Sequence, residues 1–500
     1  MRALTLLLAG LSAAAASGQA IVTSPAPDRV AVTVYRDPNR GVQDINLGWL
    51  NGIAMISETR RVRIPAGESE LRFEGVTGGI VPQTAIVTGL GDAVLEKNRD
   101  ARLLSPGALL DAYLAQRVQL RRTSKATGAV REQEAVIRAT ANGVVFQTEE
   151  GIEALRCTGI PETLIAPSVP ADLSAKPTLS VRVRSPEPIE TDVNLAYLSN
   201  NFDWQANYVA ELSPDGKRMS LFAWLTIANG DETGLAEAAT QVVAGKVNYQ
   251  KVWVNAGEAS SVQIQCWPSD TTSDVPEAEE VIVVTGQRLS APMAPPPPPP
   301  PPPQAERGGD EVMAQEERFG DFRLYRLPIA VTVAPKSQKQ VALMRQPAVK
   351  VETVNRIRLE RGIGDFDNPV DRLLRTRNRT AEGLGLALPS GKVAVFGKQE
   401  GRRILVGEGS IDDYSVGEKV EVEIGQSPSV RARHNVTDSE KRQASLTLSN
   451  DLSVAQTVEV DLGFAAKPAG GAAAPVRRDG RWFWTLVVPA NGNREVRYSY

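Results

Sequence analysis

Histidine is nearly absent from this chain of 500 residues, in which His434 is the only one. A single imidazole excludes a metal site built from several histidines and an acid/base pair of histidines. A Ser-His-Asp triad would have to use His434, which lies in the alternating segment SVRARHNVTD. That alternation predicts a strand, and a lone histidine in a strand is usually a surface or cross-strand residue.

Cysteine is also scarce, with Cys157 and Cys266 as the two thiols of the sequence. In an oxidising compartment they can form a disulfide that closes a long loop, which the chain-entropy estimate values at up to ~4 to 5 kcal/mol. The alternative is two separately buried thiols. The sequence leaves both open, since it gives no distance between the two residues.

Long apolar runs are missing, because none reaches the roughly 20 residues of a membrane-spanning helix. Arg2, the apolar stretch from Leu4 to Ala16 and the small-x-small triplet ending at Ala20 together have the pattern of a signal peptide. Cleavage after Ala16 is an alternative. We therefore expect an exported chain without a membrane span after cleavage, most simply periplasmic, with outer-membrane association or secretion as alternatives.

Charge of one sign is not in excess, since 56 basic residues stand against 59 acidic ones. This balance gives no indication of nucleic acid or an anionic membrane, either of which calls for a clustered basic face. The hydrophobic content of 42% argues against disorder of the whole chain. About 480 mature residues allow roughly three or four domains.

Most of the sequence has the alternating pattern of β-strands. The N-terminal segment alternates at Ala31–Tyr35, Ile56–Ile64, Leu71–Phe73 and Ala85–Val87. Ser105 and Pro106 then predict the start of a short helix with an apolar stripe at Leu109, Leu110, Tyr113 and Leu114. Four short strands follow, at Arg117–Thr123, Gln133–Ala139, Gly143–Gln147 and Ile152–Cys157. A helix before closely spaced strands is typical of a small SH3-like or Sm-like barrel.

Alternation becomes regular from Thr178, with Leu179, Val181 and Val183 on one face. Strands continue to Tyr500, and the turn Asn491-Gly492 predicts a hairpin between the last two. We expect an all-β, multidomain chain of antiparallel β-sandwiches, with the small barrel carrying the one short helix.

A proline-rich segment interrupts these strands. The nine prolines from Pro295 to Pro303 cannot donate ladder hydrogen bonds and favour a polyproline II rod about 28 Å long. Acidic and small residues flank the rod on both sides, which favours solvation. The expected organisation is a signal peptide at 1–20, an N-terminal β domain at 21–100, a helix-plus-barrel domain at 101–170, β-sandwich at 176–267, a disordered acidic and polyproline linker at 268–319, and the remaining β-sandwich at 320–500.

One stretch carries a family resemblance. Residues 382–425 read EGLGLALPSGKVAVFGKQEGRRILVGEGSIDDYSVGEKVEVEIG. This stretch resembles the core of the bacterial domain of unknown function numbered 4139, found in mucoidy-inhibitor-like envelope proteins. Matching phrases run through nearly the whole mature chain, including LAYLSNNFDWQANYVAEL and FRLYRLPIAVTVAPKSQKQVALM. The family has no agreed activity. Relatives often have a histidine near the position that Asp413 occupies here, so this chain departs from the family pattern at that position.

Carboxylates and aromatics are the remaining candidates for a site. Asp365, Asp367, Asn368 and Asp371 have a spacing that can hold Ca²⁺, but they lack the closing Glu of the twelve-residue loop, and a solvated turn between Gly364 and Pro369 is the alternative. In two rows of aromatic residues the spacing places the rings on one face of a strand. Such rings either stack on sugars or fill the core, and core packing is the favoured interpretation. The rows are Phe202, Trp204 and Tyr208, and Trp482 and Trp484.

The segment EEVIVVTGQR, residues 279–288, resembles the region near the mature N-terminus of TonB-dependent outer-membrane receptors. Such a strip can pair with a partner by strand addition, or else add to a sheet of its own chain. The residues of this candidate arm are Val281, Ile282, Val283, Val284, Thr285 and Gly286.

The sequence therefore predicts an exported, non-enzymatic envelope protein that contacts unidentified envelope proteins. It predicts no catalytic residues, no cofactor, no metal and no nucleic acid. The alternative is a carbohydrate-binding or carbohydrate-processing protein.

Overall fold

The computed structural model describes residues 20–90, 94–100, 104–123, 127–139, 144–154, 162–170, 173–249, 313–440, 442–469 and 473–500. Of these residues 64% lie in strands and 3% in helices, so the all-β, multidomain fold predicted from the sequence is confirmed. The single α-helix of the described residues, α1, spans Pro106–Ala112.

The strands are, in chain order, β1 Ala20–Ser24, β2 Arg29–Tyr35, β3 Gly52–Ile64, β4 Gly67–Glu74, β5 Ile86–Thr88, β6 Val94–Asp100, β7 Arg117–Thr123, β8 Val130–Ala139, β9 Val145–Thr148, β10 Gly151–Ala154, β11 Glu162–Ile165, β12 Thr178–Ser185, β13 Ile189–Leu212, β14 Arg218–Asn229, β15 Leu235–Ala244, β16 Gln315–Phe319, β17 Phe322–Arg326, β18 Val331–Val333, β19 Ser337–Lys350, β20 Glu352–Leu359, β21 Phe366–Arg377, β22 Gly391–Gln399, β23 Arg402–Ile411, β24 Lys419–Asp438, β25 Gln443–Asn450, β26 Gln456–Leu462, β27 Lys467–Pro468, β28 Val476–Arg478, β29 Arg481–Val488 and β30 Gly492–Ser499.

The described residues form two compact units that alternate along the chain. The first unit contains the described parts of 1–28 and 59–195, and the second contains those of 29–58, 196–252 and 310–500. Two boundaries between the units fall within β3 and β13, and another lies directly before β2. Residues 29–58 therefore belong to the same unit as the C-terminal part of the chain.

The first unit contains a four-stranded sheet in the order β1-β4-β12-β6. Leu179, Val181 and Val183 of β12 are fully buried, as their alternation predicts. Arg182 and Arg184, which alternate with them along the strand, are exposed.

The helix and short strands of the first unit form the predicted small module. The Ser105 hydroxyl accepts a hydrogen bond from the Ala108 N–H (3.1 Å) and so caps α1. The sheet that follows has the antiparallel order β10-β9-β8-β7-β11. Its core contains Tyr113, Leu120, Ile137 and Phe146. Leu114, expected on the apolar stripe, is 47% exposed because the helix ends before it.

The second unit begins with a sheet whose main path is β16-β17-β15-β2-β3-β13-β14-β19. The two ends of this path meet, since the N–H of Ala314, beside β16, donates to the Ala342 carbonyl of β19 (3.1 Å). The sheet is therefore strongly curved. Trp204 and Tyr325 pack inside, with ring centroids 6.3 Å apart. β22 extends the sheet by pairing with the C-terminal half of β13, and β23 pairs with β22.

The C-terminal part of the second unit is a nine-stranded sheet in the order β27-β30-β25-β24-β21-β20-β26-β29-β28. Side chains from strands on both sides of this path meet in one core, so the sheet folds over itself as a sandwich. Trp484 and Tyr498 meet edge-to-face in that core, with centroids 5.4 Å apart.

These two parts of the second unit repeat one arrangement. Asn229 ends β14 and Asn450 ends β25, and both are buried. Each accepts the N–H two residues later (2.9 and 3.0 Å) and donates to the carbonyl four residues later (2.9 Å in both). β14 lies between β13 and β19, as β25 lies between β24 and β30. β15 pairs in parallel with β2, as β26 does with β20. We call the two parts the first half and the second half.

The hairpin predicted at Asn491-Gly492 is wrong. β29 pairs with β26 and β28, whereas β30 pairs with β25 and β27. The Asn491 N–H donates to the Leu452 carbonyl (2.9 Å), which directs the chain from one layer of the sandwich to the other. Lys336 makes the matching bond to Asp231 (3.1 Å) in the first half, and both residues have positive φ.

A network of charges lies on the second half, on the face opposite the core. Arg356 and Glu459 are register partners, and their sequence neighbours Ile357 and Val460 point into the core. Arg356 donates to Glu421 (2.8 and 2.9 Å) and to Glu459 (2.8 Å). Arg375 donates to Glu421 (2.7 Å) and Glu459 (2.6 Å). Each of these four side chains is less than one fifth exposed.

Candidate functional site

The segment that carries the family resemblance forms one wall of a cavity of about 120 Å³ in the second unit. Leu388 and Tyr414 exchange backbone hydrogen bonds (2.9 and 2.8 Å) in this wall. The opposite wall comes from β15 and β17 and includes Arg323 and Tyr325. Asp413 is the carboxylate that the wall segment contributes.

Asp413 is fixed by a buried arginine at the end of β2. The Arg36 guanidinium donates to Asp413 Oδ2 (2.5 Å) and to the Ser390 hydroxyl, and it lies 5.6 Å from the Trp204 ring centroid. The Ser390 N–H donates to Asp413 Oδ1 (2.8 Å). The Arg36 side chain is 6% exposed and that of Asp413 43%. The site therefore presents the Asp413 carboxylate in a fixed orientation, and the buried Arg36 guanidinium offsets its charge.

Two tyrosines hold the same wall from inside the curved sheet. The hydroxyl of Tyr208 donates to the Pro389 carbonyl (2.6 Å), and that of Tyr325 donates to the Ala387 carbonyl (3.3 Å). Burial raises the pKa of both phenols above the usual value of 10. Both therefore stay protonated donors, and the cavity can bind a small polar group at Asp413 and Arg323.

Asn378 joins the two loops of the cavity wall. Its side-chain N–H groups donate to the carbonyls of Leu386 (2.7 Å) and Ser415 (3.0 Å), and its Oδ1 accepts from the Gly385 N–H (3.0 Å). The residue is completely buried. Both loops therefore depend on one side chain.

We predict that Asn378→Ala lowers the free energy of unfolding by about 2 kcal/mol, since it leaves buried backbone groups without partners. Urea denaturation measures this loss. The control is Asn368→Ala, at an exposed position, which should change stability by at most about 0.5 kcal/mol. Equal effects of the two substitutions would contradict the role given to Asn378.

Several sequence-predicted residues lie outside the described residues. They comprise the signal peptide up to Gln19, the polyproline run, Cys157, Cys266 and the arm from Val281 to Gly286.

His434 is a buried cross-strand residue, so of the two predicted places, surface or cross-strand, the surface one is wrong. It lies in β24 with no exposed surface, and its ring stacks on Phe366 at 5.4 Å. Nδ1 is 2.9 Å from the Gly364 carbonyl, and Nε2 is 2.8 Å from the Tyr498 hydroxyl. Both ring nitrogens are thus engaged by core groups. The imidazole therefore joins the segment before β21 to β30.

The candidate calcium residues serve as strand and turn contacts. Asp367 accepts from Arg431 (3.0 Å) and Arg433 (2.7 Å), and these hydrogen bonds lower its pKa. Asp365 accepts the Val436 N–H (2.7 Å). Residues 366–377 form strand β21, so the solvated turn expected between Gly364 and Pro369 is wrong. Within the described ranges, no three His, Cys, Asp or Glu side chains are grouped to hold a metal.

The preferred interpretation of the aromatic rows, core packing, is confirmed. Phe202, Trp204, Tyr208 and Trp484 are each at most 2% exposed. Trp482 is partly buried against the same core as Trp484. These rings are therefore not displayed for stacking on a ligand.

A different aromatic pair lies on the outer face of β14, with Trp224 exposed and Phe222 partly buried, and sequence analysis missed it. Phe222 and Trp224 of β14 meet edge-to-face with centroids 4.7 Å apart, and Trp224 is 36% exposed. Val209 of β13 is the register partner of Phe222 and is 38% exposed. Phe396 of β22 and Leu405 of β23 continue this surface, and Leu405 is 52% exposed. We call these five residues the aromatic face.

The second half shows that the fold does not require these aromatics. Counted back from the buried asparagine that ends each strand, Phe222 and Trp224 correspond to Gln443 and Ser445. The rest of that surface on the second half is polar, with Arg433 pairing with Asp367 and Arg497 with Glu495. The signal in the sequence was the alternation FAWLTIAN, which places Phe222 and Trp224 on the face opposite Ala223, Leu225 and Ile227.

Neither a scan against family models nor a search of curated proteins found a match to the chain. Within the described part of the chain, the helical segments fall short of the length and apolarity that a membrane crossing requires.

Proposed function

We propose that the chain is an exported, non-enzymatic protein of the bacterial cell envelope that acts as a β-scaffold for protein contacts. The leader pattern of residues 1–20 and the resemblance of residues 382–425 to the domain of unknown function 4139 support this proposal. That segment contains Asp413 and forms a wall fixed by Arg36 and Asn378, which is consistent with a rigid scaffold.

The observation that carries the proposal is the aromatic face. Exposed apolar surface of this kind marks interaction sites, and tryptophan is enriched among the residues that dominate protein–protein binding. The matched surface of the second half has glutamine and serine at the positions of Phe222 and Trp224, so these aromatics are dispensable for folding. We therefore assign them to contact with a partner.

Affinity capture from envelope extract tests this assignment. We expect Trp224→Ser to deplete a specific captured protein by about tenfold or more, as loss of a central aromatic anchor does. Arg433→Ser, on the matched surface of the second half, should leave the captured set unchanged. Identical sets from both variants and the wild type would argue against a contact through the aromatic face.

The arm from Val281 to Gly286 is a separate proposal within the same function. A β-prone strip beside a proline rod suits strand addition to a partner sheet. We expect deletion of Glu279 to Pro303 to remove at least one captured protein. If the deletion left the set of captured proteins unaltered, the arm would have no part in the proposed function.

A carbohydrate-binding role is the second candidate, and a polar row beside Trp224 favours it. Thr226 donates to Asn207 (2.7 Å), Gln205 donates to Asn207 (3.2 Å), and Gln340 donates to Thr226 (3.3 Å). Planar amides next to an exposed indole can bind the hydroxyls and the face of a sugar. Tryptophan fluorescence that stays constant across cell-wall and exopolysaccharide fragments would exclude this role.

A further inference from the structure

The charges around the aromatic face are unevenly placed. Arg345 of β19 is the register partner of Phe222, is exposed, and makes no ion pair with any described residue. Lys392 of β22 is the register partner of Asn207, which in turn pairs with Trp224. The charged side chain directly opposite Phe222 in the register is therefore basic, and Glu211, the partner of Ser220, lies diagonal to Phe222 on β13.

Two carboxylates of this surface, Glu211 and Asp44, are engaged by cations, whereas Glu408 of β23, the register partner of Ala394, is exposed. Glu211 accepts from Arg403 (2.9 Å) and also pairs with Lys398. Hydrogen bonds from both cations lower its pKa, against the effect of burial. Asp44 pairs with Lys392 (2.5 Å). Four cations thus surround the face, and one of them, Arg345, is left available beside the exposed rings.

We propose that the aromatic face binds an acidic peptide segment of a partner protein, in which an apolar side chain is flanked by carboxylates. The apolar residue packs against Phe222, Trp224 and Val209. One carboxylate binds Arg345, and a second replaces Asp44 at Lys392, since the pair of Asp44 and Lys392 is solvent-exposed. Arginine suits this role because its planar guanidinium binds a carboxylate through two parallel hydrogen bonds. The aliphatic members Val209 and Leu405 favour a protein over a sugar, which stacks on aromatic rings. This inference depends on the proposed function, since it names the partner chemistry of the same surface.

Selection of short random peptides displayed on phage, with the full mature chain as bait, tests the inference. We expect the enriched peptides to contain an apolar residue between Asp or Glu residues. Their affinity should fall about tenfold or more with Trp224→Ser and with the charge reversal Arg345→Glu. The affinity should also fall as salt rises, because exposed charges are screened. Arg433→Glu, on the matched surface of the second half, should leave the affinity unchanged.

Two results would overturn the inference in distinguishable ways. Enriched peptides that depend on Trp224 but are neutral or basic would reject the acidic partner and leave the protein-docking function standing. Peptides that bind Trp224→Ser as well as the wild type would reject both. A parallel titration uses anionic oligosaccharides and phosphatidylglycerol vesicles. Trp224-dependent binding of either, without enrichment of acidic peptides, would replace the protein partner by that ligand. Unchanged thermal unfolding midpoints confirm that the variants are folded.

Discussion

Replacing Gly407 by alanine is expected to lower the free energy of unfolding by about 3 kcal/mol or more, since overpacking against fixed atoms forces the backbone to move. A Cβ at Gly407 of β23 would lie 1.8 Å from the Ile424 carbonyl oxygen of β24. Gly409 makes a similar approach, with its Cβ position 2.1 Å from the Glu423 oxygen. These glycines let β23 cross the backbone of β24. Urea denaturation followed by circular dichroism measures the loss.

The matched control is Gly364→Ala, because a Cβ there meets no atom within 4 Å and the backbone φ lies outside the left-handed region. We expect this variant to stay within about 0.5 kcal/mol of the wild type. If Gly407→Ala were equally mild, β23 would not pack against β24 as described.

Removing Glu459 from the charge network is the second large effect that we expect. Arg356 and Arg375 both donate to Glu459, whose side chain is 7% exposed. Glu459→Ala leaves two poorly hydrated guanidinium groups with Glu421 as their shared partner in the network. Breaking a buried pair from one side costs about 3 to 5 kcal/mol. We expect a loss near the lower end of this range, measured by urea denaturation.

Glu495→Ala is the control for this prediction, since Glu495 forms an exposed pair with Arg497 at the corresponding distance of 2.8 Å. Exposed pairs contribute about 0 to 1 kcal/mol. Similar losses in the two variants would show that the network contributes no more than an ordinary surface pair.

Acid should weaken the second half through the same network. Burial alone would raise the pKa of Glu421, but hydrogen bonds from Arg356 and Arg375 outweigh it and lower the pKa to about 2. A carboxyl whose pKa is lowered by folding stabilises the folded state fully when the pH is above its unfolded-state pKa, near 4.5. This stabilisation is lost as the pH falls from there towards 2. The wild type should therefore lose stability between these values. Glu421→Gln should flatten that part of the profile, and an unchanged slope would contradict the assignment.

Local sequence signals predicted the local structure well. Ser105 and Pro106 marked the start of α1, and the alternation at Leu179, Val181 and Val183 gave a buried face. The pairing of distant strands was not predictable in this way. β2 pairs in parallel with β15, and β13 with β22, although long stretches of chain separate them. Alternation shows which face of a strand is buried, but it does not show which strand lies beside it.

The same limit explains the errors at single residues. Asn491-Gly492 has the composition of a hairpin turn, but its strands belong to different layers, because Asn491 binds Leu452 from the preceding corner. His434 lies in a strand as predicted. It is buried because its partners Gly364 and Tyr498 come from distant parts of the sandwich.

The candidate site, too, was predictable from the sequence only in part. Low aromatic content correctly favoured burial of Trp204 and Trp484. The exposure of Trp224 depended on which face of β14 is covered, because both faces carry apolar side chains and only the folded chain shows that Ala223, Leu225 and Ile227 are the buried set. The internal repeat was hidden because its halves share the corner asparagines Asn229 and Asn450, with few similar residues around them.

Site-specific photocrosslinking in living cells tests the central claim most directly. A photoreactive phenylalanine analogue at position 224 keeps an aromatic side chain on the aromatic face, and the same analogue at position 443, the exposed match of Phe222, probes the second half. The account predicts a crosslink to a separate envelope protein from position 224 and none from position 443, identified by mass spectrometry. Equal crosslinking at the two positions, or none at position 224, would contradict it.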